Sequence, residues 1–397
     1  MKKQITILGS TGSIGINTLD IIARHKDKYH VFALTGSSQV DRMLSQCASF
    51  RPAYAVMANP DAANLLKEKL KAEGISTQVL SGATALVEVA SHPSVDMVMA
   101  AIVGAAGLAS CLSAARAGKK LLLANKEALV VGGQLFMSAV AQGGAKLLPI
   151  DSEHSAVFQS LPEDSDTWGS VVDKIILTAS GGPFRTRSPD SLHLVSPQEA
   201  CAHPNWVMGK KISVDSATMM NKALEVIEAS YLFAMNPAKV EVIIHPQSIV
   251  HSMVQFVDGS IVAQLGTPDM RMPISYGLAW PERIASGASN IDFRTAPPMT
   301  FESLDDHGHP QRFPGLDLAW QALKAPTGTT AVLNAANEVA VELFLNSQIR
   351  FDEIYKVNSA TLFECLPLPP TCLDDLIEID FKAREKAREI AKRIIKK

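Results

Sequence analysis

The sequence predicts an α/β protein with an N-terminal parallel sheet, a central α+β region and a C-terminal helical region. Three observations predict it. Strand-like and helix-like segments alternate through the first 150 residues, separated by short glycine-bearing turns. Strand patterns then gather between Lys174 and Leu265, and helical patterns fill the chain after Pro310. At 397 residues the chain is too long for one ordinary core, so two or three domains are expected.

In order, Gln4–Leu8 is an apolar β-leaning run, followed by a glycine turn and a helix from about Gly15 to His25. Val31–Leu34 is the next strand; Arg42–Phe50 is helical, Tyr54–Met57 a strand and Ala62–Ala72 an amphipathic helix. Val95–Ile102, Lys120–Ala124 and Lys146–Ile150 complete the strands of the first region. Strands alternating with helices in this way give a parallel sheet covered on both faces. Met97–Ala115 is uncharged and long enough to cross a bilayer, but Ala, Gly and Ser dominate it, and Gly104 and Gly107 divide it into strand, turn and helix. Lys174–Thr178, Val240–Ile244, Val250–Phe256 and Ser260–Leu265 are strands, the last two joined through Asp258-Gly259 as a hairpin. Ser180–Lys210 is a long polar loop, and Pro281–Pro310, rich in Pro, Gly, Asp and Ser, is a linker. Thr330–Leu345 carries an Ala-rich stripe. Lys382–Ile395 places Ala383, Ala387, Ile390, Ala391 and Ile394 on one face, while Glu385 and Glu389 interleave with its basic residues as on a solvated surface.

Apolar residues at 47% and charged ones at 19% describe a globular chain, and a net charge of -3 offers no general field for nucleic acid or an anionic membrane. The partner expected is a small anionic molecule held by local cations and aimed N–H groups. The five cysteines (Cys47, Cys111, Cys201, Cys365, Cys372) are scattered and odd in number, which excludes a disulfide framework and a zinc ribbon. That usage, and an N-terminus running from Met1 into a strand without an apolar signal core, lead us to expect a cytoplasmic protein.

Four groups of residues carry chemistry. Gly9-Ser10-Thr11-Gly12-Ser13-Ile14-Gly15 lies between the first strand and first helix, where glycines let a pyrophosphate approach and the helix N-terminus offers N–H donors. In a βαβ run this is a Rossmann-like dinucleotide site; taken alone it is a structural turn. The second strand ends in Thr35-Gly36-Ser37-Ser38-Gln39 with no acid for a ribose 2′-hydroxyl, and Arg42 follows, which favours NADP over NAD. Asp151-Ser152-Glu153-His154 ends the last strand of the first region. If that segment is extended, the two carboxylates point the same way and need a cation or proton between them; the bland alternative is a solvated turn. In Asp215–Glu225, Asn221, Lys222 and Glu225 share one helix face. Either Lys222 and Glu225 form a plain surface ion pair, or Glu225 joins Asp151 and Glu153 as a hard-oxygen ligand set selecting Mg²⁺ or Mn²⁺. Ser180-Gly181-Gly182, with Ser216, Asn221 and Lys222, supplies donors suited to a phosphate monoester, or is simply a glycine hinge. The loop that follows ends in His203-Pro204-Asn205-Trp206-Val207-Met208-Gly209, where Trp206 either closes over a ligand or packs on the core. Asn125-Lys126-Glu127 follows a strand end, and Lys126 is either an anion partner or a helix-start charge. His251 reads as a core histidine.

Taken together, G-S-T-G-S-I-G, A-A-I-V-G-A-A-G-L, L-L-A-N-K-E, D-S-E-H, G-G-P-F, H-P-N-W, D-S-A-T-M-M-N-K-A-L-E, H-P-Q-S-I-V-H-S and L-N-A-A-N-E resemble, in order and over nearly the whole chain, the 1-deoxy-D-xylulose 5-phosphate reductoisomerases. The resemblance implies a homodimeric NADPH enzyme of non-mevalonate isoprenoid precursor biosynthesis. Its domains would be an NADPH-binding domain (1–150), a catalytic and dimerisation domain (151–285), a linker (286–310) and a C-terminal helical domain (311–397). Asp151, Glu153 and Glu225 would hold Mg²⁺ or Mn²⁺, with Co²⁺ a further candidate, and with Lys126 they would carry catalysis. Ser180, Ser216, Asn221 and Lys222 would bind the substrate phosphate; Lys126, Ser152, Glu153, His203 and Glu225 would contact the substrate, with Trp206 and Met208 in a closing flap. Thr11, Gly12, Ser13, Ile14, Asn125, Glu127 and Gly209 would touch NADPH. The reaction implied is isomerisation by carbon–carbon cleavage and re-formation to a branched aldehyde, then reduction to 2-C-methyl-D-erythritol 4-phosphate. One departure stands out. Many family members have Gly, a basic residue and Asn where this chain has Ser37, Ser38 and Gln39, so the basic partner for the 2′-phosphate is missing there.

Two rivals remain at this point. A simple NADP-dependent dehydrogenase of a small aldehyde or polyol accounts for the glycine loop and would work without metal. A non-catalytic NADP-binding sensor would bind cofactor and oxidise none.

Overall fold

The computed structural model describes residues 2–206, 208–306 and 308–395; Val207 of the H-P-N-W-V-M-G motif and the final Lys396-Lys397 lie outside them. Strands β1 (Lys3–Leu8), β2 (Tyr29–Gly36), β3 (Tyr54–Met57), β4 (Gln78–Ser81), β5 (Met97–Ala100), β6 (Lys120–Leu123) and β7 (Lys146–Pro149) come first. They alternate with helices α1 (Ser13–Arg24), α2 (Val40–Phe50), α3 (Pro60–Ala72), α4 (Gly82–Ser91), α5 (Leu108–Arg116), α6 (Lys126–Gly143) and α7 (Ser152–Ser160). After these come α8 (Trp168–Val171), β8 (Val172–Ala179), α9 (Pro197–Ala200), α10 (Lys210–Thr218), α11 (Met220–Leu232), β9 (Val240–Ile244), β10 (Val250–Phe256), β11 (Ile261–Leu265) and α12 (Arg271–Ala279). The chain ends with α13 (His309–Arg312), α14 (Leu318–Lys324), α15 (Thr329–Leu345), α16 (Phe351–Glu364) and α17 (Leu373–Ile395).

These elements form two compact units. The first comprises residues 1–128, 136–155 and 269–288, and the second residues 129–135, 156–268 and 289–397. In the first, the seven strands are parallel in the order β4-β3-β2-β1-β5-β6-β7. Parallel strands covered on both faces read as continuous apolar runs, and Ile5, Ile7, Leu8, Ala33, Leu34, Val98, Met99, Leu121, Leu122 and Leu123 are all buried. Strand order reverses between β1 and β5, and such a switch point opens a crevice at the carboxyl ends of the strands. Helix α3 starts where Asn59 accepts from the Ala62 N–H at 3.0 Å and Pro60 pre-sets the first turn. Helix α12 belongs to this unit. It packs on α1, with Arg271 3.5 Å from Asp20, and Gly277 lets it lie close to Ile150 and Leu122. The sequence reading put these residues with the catalytic region, because a helix whose partner is far away in sequence carries no local mark of which core it joins.

The second unit has a four-stranded sheet in the order β11-β10-β8-β9. The hairpin of β10 and β11 turns on Gly259 at φ 84°, with Asp258 accepting from the Ser260 N–H at 2.9 Å. The pairing of β8 with β9 is parallel. Helices α11, α14 and α15 share a core with this sheet through Leu177, Leu224, Ile227, Leu318, Val332 and Leu333. Helices α15, α16 and α17 complete the unit, and Ala383, Ala387, Ile390 and Ala391 form the buried stripe of α17 as the periodicity predicts. Arg384 pairs with Asp380 and with Glu338 of α15, and Lys386 pairs with Glu389. The uncharged stretch Met97–Ala115 is strand, turn and helix, and among the described residues no helix is long and apolar enough to cross a membrane.

Several elements differ from expectation. Strand β4 and helix α4 were not anticipated, since Gln78–Ser81 is short and half-exposed and Gly82–Ser91 is mostly small residues. Helix α16 falls in the region expected to be helical but was not singled out. Strand β5 is shorter than Val95–Ile102 because the chain turns away after Ala100 towards Gly104, at φ 77°. The segment after β7 is not extended: Ser152 and Glu153 begin helix α7. An acid in the first turn of a helix is favoured there by the exposed N–H groups, a preference that competes with the extended reading.

Candidate functional site

In the first unit, the glycine loop is shaped by contacts that only glycine permits. Gly9 has φ 83°, and a Cβ there would lie 2.5 Å from the Ala101 carbonyl oxygen at the end of β5. At Gly15 a Cβ would lie 2.4 Å from Ser10 Cα and 2.5 Å from the Gly9 oxygen. The loop is therefore pressed into the switch point between β1 and β5. Helix α1 opens at Ser13 with no side chain capping it, which leaves its first N–H groups facing outward beside Gly12. A cradle with no side chain in its floor and free N–H donors at its rim fits a pyrophosphate. Thr11 is buried in this turn, and Gly12 and Ser13 are exposed.

Across the switch point, Asn125 caps α6 by accepting from the Ala128 N–H at 3.1 Å, and its Nδ2 donates to the Gly104 oxygen at 3.1 Å. A Cβ on Gly107 would lie 2.2 Å from that nitrogen, so glycine at 107 makes room for the cap. Lys126 and Glu127 follow on the first turn, both buried. Lys126 is no helix-start surface charge: the residue is 5% exposed, and its ammonium forms an ion pair with Asp151 just beyond β7. Asp151 also accepts from the Ser152 N–H at 3.1 Å, and the Ser152 hydroxyl donates to Glu153 at 2.5 Å. Asp151 and Glu153 bring carboxylate oxygens within 4.8 Å of one another, and a nitrogen of buried His154 lies within the same distance of Asp151. Two carboxylates so close repel each other unless cations compensate, and Lys126 is one such cation, paired with Asp151. The two carboxylates offer hard oxygen donors, which suit Mg²⁺ or Mn²⁺.

In the second unit, α10 and α11 meet at Met219, which adopts φ 62° and redirects the chain between them. Asn221 and Lys222 both donate to Glu225 one turn later, as their shared face predicts. The pair is not on the surface. Glu225 is 0% and Lys222 3% exposed, so the surface ion-pair alternative is excluded. Beside them, the Ser180-Gly181-Gly182 turn packs on α10: a Cβ on Gly182 would lie 2.7 Å from the Ser216 oxygen. His203 Nδ1 accepts the N–H groups of Asn205 and Trp206 at 3.1 and 3.0 Å. In the neutral ring the proton therefore sits on Nε2, 3.0 Å from Ser180 Oγ. Ser180 Oγ also accepts from the Gly182 N–H at 3.1 Å, so its own hydrogen is left to donate elsewhere. Ser180 and Ser216 thus lie on packed elements, while Asn221 and Lys222 lie on the next helix, where both donate to Glu225.

The segment from Ser180 to Lys210 has its own fastenings. Asn205 Nδ2 donates to Pro246 O and Ser248 Oγ at 2.8 and 3.0 Å, and Trp206 is half-buried with its ring 6.4 Å from that of His251. Ser196 and Glu199 cap α9 reciprocally, and Arg187 lies 2.9 Å from Glu199. The Ser196 N–H, then the Arg187 and Ser196 side chains, pull the Glu199 carboxyl down to about 2. Met208 is half-buried and Gly209 exposed, immediately before α10.

Sequence reasoning missed one feature. Asp215, 1% exposed, pairs with Lys211 at 2.8 Å and accepts from Asn337 Nδ2 at 2.7 Å; Asn337 in turn accepts from Asn358 at 3.0 Å. This buried chain ties α10, which carries Ser216, to α15 and α16. Asp215 and Asn337 stood in the sequence only as members of the separate D-S-A-T-M-M-N-K-A-L-E and L-N-A-A-N-E motifs.

Three family descriptions match the chain: 1-deoxy-D-xylulose 5-phosphate reductoisomerase over residues 5–133, its C-terminal domain over 147–233, and the DXP reductoisomerase C-terminal domain over 265–386. Curated relatives named 1-deoxy-D-xylulose 5-phosphate reductoisomerase include that of Stutzerimonas stutzeri, 56% identical over 97% of this chain and 96% of its own length. That of Cupriavidus metallidurans is 56% identical over 97% of each. Among solved structures, the Zymomonas mobilis reductoisomerase in complex with NADPH matches 98% of this chain and 99% of its own, at 46% identity and TM-score 0.91. A DOX-P reductoisomerase in complex with NADPH, fosmidomycin and magnesium matches 99% of each chain, at 43% identity and TM-score 0.93.

Proposed function

The chain belongs to the 1-deoxy-D-xylulose 5-phosphate reductoisomerase family, and from that membership we infer the roles of its individual residues. It is an NADP-dependent oxidoreductase that uses NADPH and a divalent metal to isomerise and reduce 1-deoxy-D-xylulose 5-phosphate to 2-C-methyl-D-erythritol 4-phosphate, a step of non-mevalonate isoprenoid precursor biosynthesis. Asp151, Glu153 and Glu225 hold the metal, Mg²⁺ or Mn²⁺. When bound, the metal supplies Lewis acidity to the carbonyl and adjacent hydroxyl oxygens of the substrate, and NADPH supplies the hydride.

The chain's own groups do the rest. Thr11, Gly12, Ser13 and Ile14 receive the pyrophosphate, and Asn125, Glu127 and Gly209 contact the remainder of NADPH. Ser152 orients Glu153 by donating to it, and Lys126 balances Asp151 and contacts the substrate. Ser180, held by His203 and Gly182, donates its hydroxyl to the substrate phosphate together with Ser216, Asn221 and Lys222. Trp206 and Met208 exclude water when the flap closes, which strengthens every charge interaction inside. The exposed Ile261 and Val262 on edge strand β11 support a homodimer formed through this sheet. Five cysteines without disulfides support a cytoplasmic location.

The observation that carries the residue assignment is the close approach of the Asp151 and Glu153 carboxylates just beyond a strand end, with oxygens within 4.8 Å of one another. The test follows NADPH absorbance with 1-deoxy-D-xylulose 5-phosphate before and after chelation. Turnover should vanish with the chelator and return with Mg²⁺. Turnover that survives chelation would instead make the protein a simple dehydrogenase.

A further inference from the structure

The family's usual basic partner for the 2′-phosphate is missing at Ser37, Ser38 and Gln39, yet the cofactor is NADPH. Three observations locate a replacement. First, the turn after β2 touches the glycine loop: a Cβ on Gly36 would lie 3.3 Å from Thr11 Cγ2 and 3.4 Å from Thr11 Oγ1. Second, α2 is fastened to that loop by two side chains one turn apart. Arg42 Nη1 donates to the Thr11 oxygen at 2.8 Å, and Gln46 Nε2 donates to the Ser10 oxygen at 2.8 Å while accepting from the Ser10 hydroxyl at 2.7 Å. The guanidinium of Arg42 is thereby held at the seam between the glycine loop and the end of β2, where the adenosine ribose of a dinucleotide lies in this fold. Third, Arg42 has no carboxylate partner among the described residues, and its clamp to Thr11 uses one of five N–H donors. Its neighbour Asp41, which would repel a phosphate, is engaged by Lys69 at 2.5 Å. Ser37, Ser38 and Gln39 are exposed beside it.

We propose that Arg42 is the cation that recognises the 2′-phosphate of NADPH in this chain, with the Ser37 and Ser38 hydroxyls as further donors, and so sets its preference for NADPH over NADH. This rests on the reading that the glycine loop binds the dinucleotide. A planar guanidinium pairs with a phosphate through two parallel N–H groups, which an ammonium or amide cannot reproduce. The role is one of specificity: it adds affinity only for nucleotides that carry a 2′-phosphate.

The test is calorimetric titration of adenosine 2′,5′-bisphosphate and adenosine 5′-monophosphate into wild type, Arg42→Gln and Arg42→Lys, with NADPH and NADH binding followed by nicotinamide fluorescence. Glutamine loses the charge and is too short to reach the Thr11 carbonyl, but Gln46 one turn on still fastens α2 to the loop at Ser10. In Arg42→Gln, affinity for the bisphosphate and for NADPH should fall about tenfold or more, with the monophosphate and NADH within about threefold of wild type; Arg42→Lys should fall between. Equal loss for all four nucleotides would reduce Arg42 to a clamp and overturn the proposal. So would an NADPH preference unchanged in Arg42→Gln, which would leave the cofactor site itself standing. Wild type that binds no NADPH would remove the dinucleotide reading and this proposal with it.

Discussion

Glutamine at position 225 separates structure from chemistry. Glu225 is fully buried and accepts from both Asn221 and Lys222, whose ammonium is itself buried. Glutamine has nearly the same volume but one acceptor oxygen, so one of the two hydrogen bonds to it is lost and Lys222 loses the negative charge of this neighbour. A hydrogen bond to a charged group contributes about 1.5–3 kcal/mol, and removing one partner of a buried pair costs about 3–5 kcal/mol. Retained volume and one retained oxygen put the expected loss for Glu225→Gln at about 2–4 kcal/mol in urea unfolding. Total stabilities of roughly 5–15 kcal/mol leave the variant folded at room temperature. Activity should fall much further than the folded fraction. Losing an outer-shell partner of a metal site costs roughly 10–100-fold, and a direct ligand should cost more. The assays are Mg²⁺-dependent NADPH oxidation and Mn²⁺ binding by electron paramagnetic resonance. A folded variant with turnover within about tenfold of wild type and undiminished Mn²⁺ affinity would refute Glu225 as a ligand and leave it a structural partner of Asn221 and Lys222.

Three further outcomes follow from the geometry. Gly15→Ala would place a methyl group 2.4 Å from Ser10 Cα, so NADPH binding by fluorescence should be lost while the far-ultraviolet dichroism is kept. Tight binding in this variant would show that the loop can open without cost. Asn337→Ala removes the donor to Asp215 and the acceptor of Asn358, and at about 1–3 kcal/mol for each buried group left unpaired it should lower stability by roughly 2–4 kcal/mol. It should also raise KM more than it lowers kcat, since Asp215 precedes Ser216; a change in stability with KM untouched would confine the network to folding. Glu199 titrates far below its ordinary value of 4.5, so its contribution to the α9 cap is complete above that value and lost as the pH falls towards about 2. Proteolysis between Ser180 and Lys210 should therefore rise across that window in wild type. A Glu199→Gln variant with the same acid-dependent rise would place the effect elsewhere.

Much of this protein was legible in its sequence. The alternation of β-leaning and amphipathic runs predicted a parallel sheet, because strands buried on both faces must be apolar throughout and their crossovers must be helices. The glycine loop was legible since only glycine tolerates the approach that Gly9 and Gly15 make. The shared face of Asn221, Lys222 and Glu225 followed from helical spacing alone. What spacing could not show was burial: Lys222 with Glu225, and Lys126 with Asp151, read equally well as surface charges until packing removed them from water. Nor could local pattern choose the extended or helical form of Asp151–Glu153, decide that α12 joins the first unit, or join Asp215 to Asn337 and Asn358 across more than a hundred residues of chain. The acid-free turn at Ser37–Gln39 announced which cofactor was bound, but only the folded position of Arg42 against Thr11 indicates what grips it. Periodicity and backbone permission are properties of neighbours along the chain, so a sequence carries them openly. Which charges lose water, and which distant groups meet, depends on how whole elements pack, and that is decided only in three dimensions.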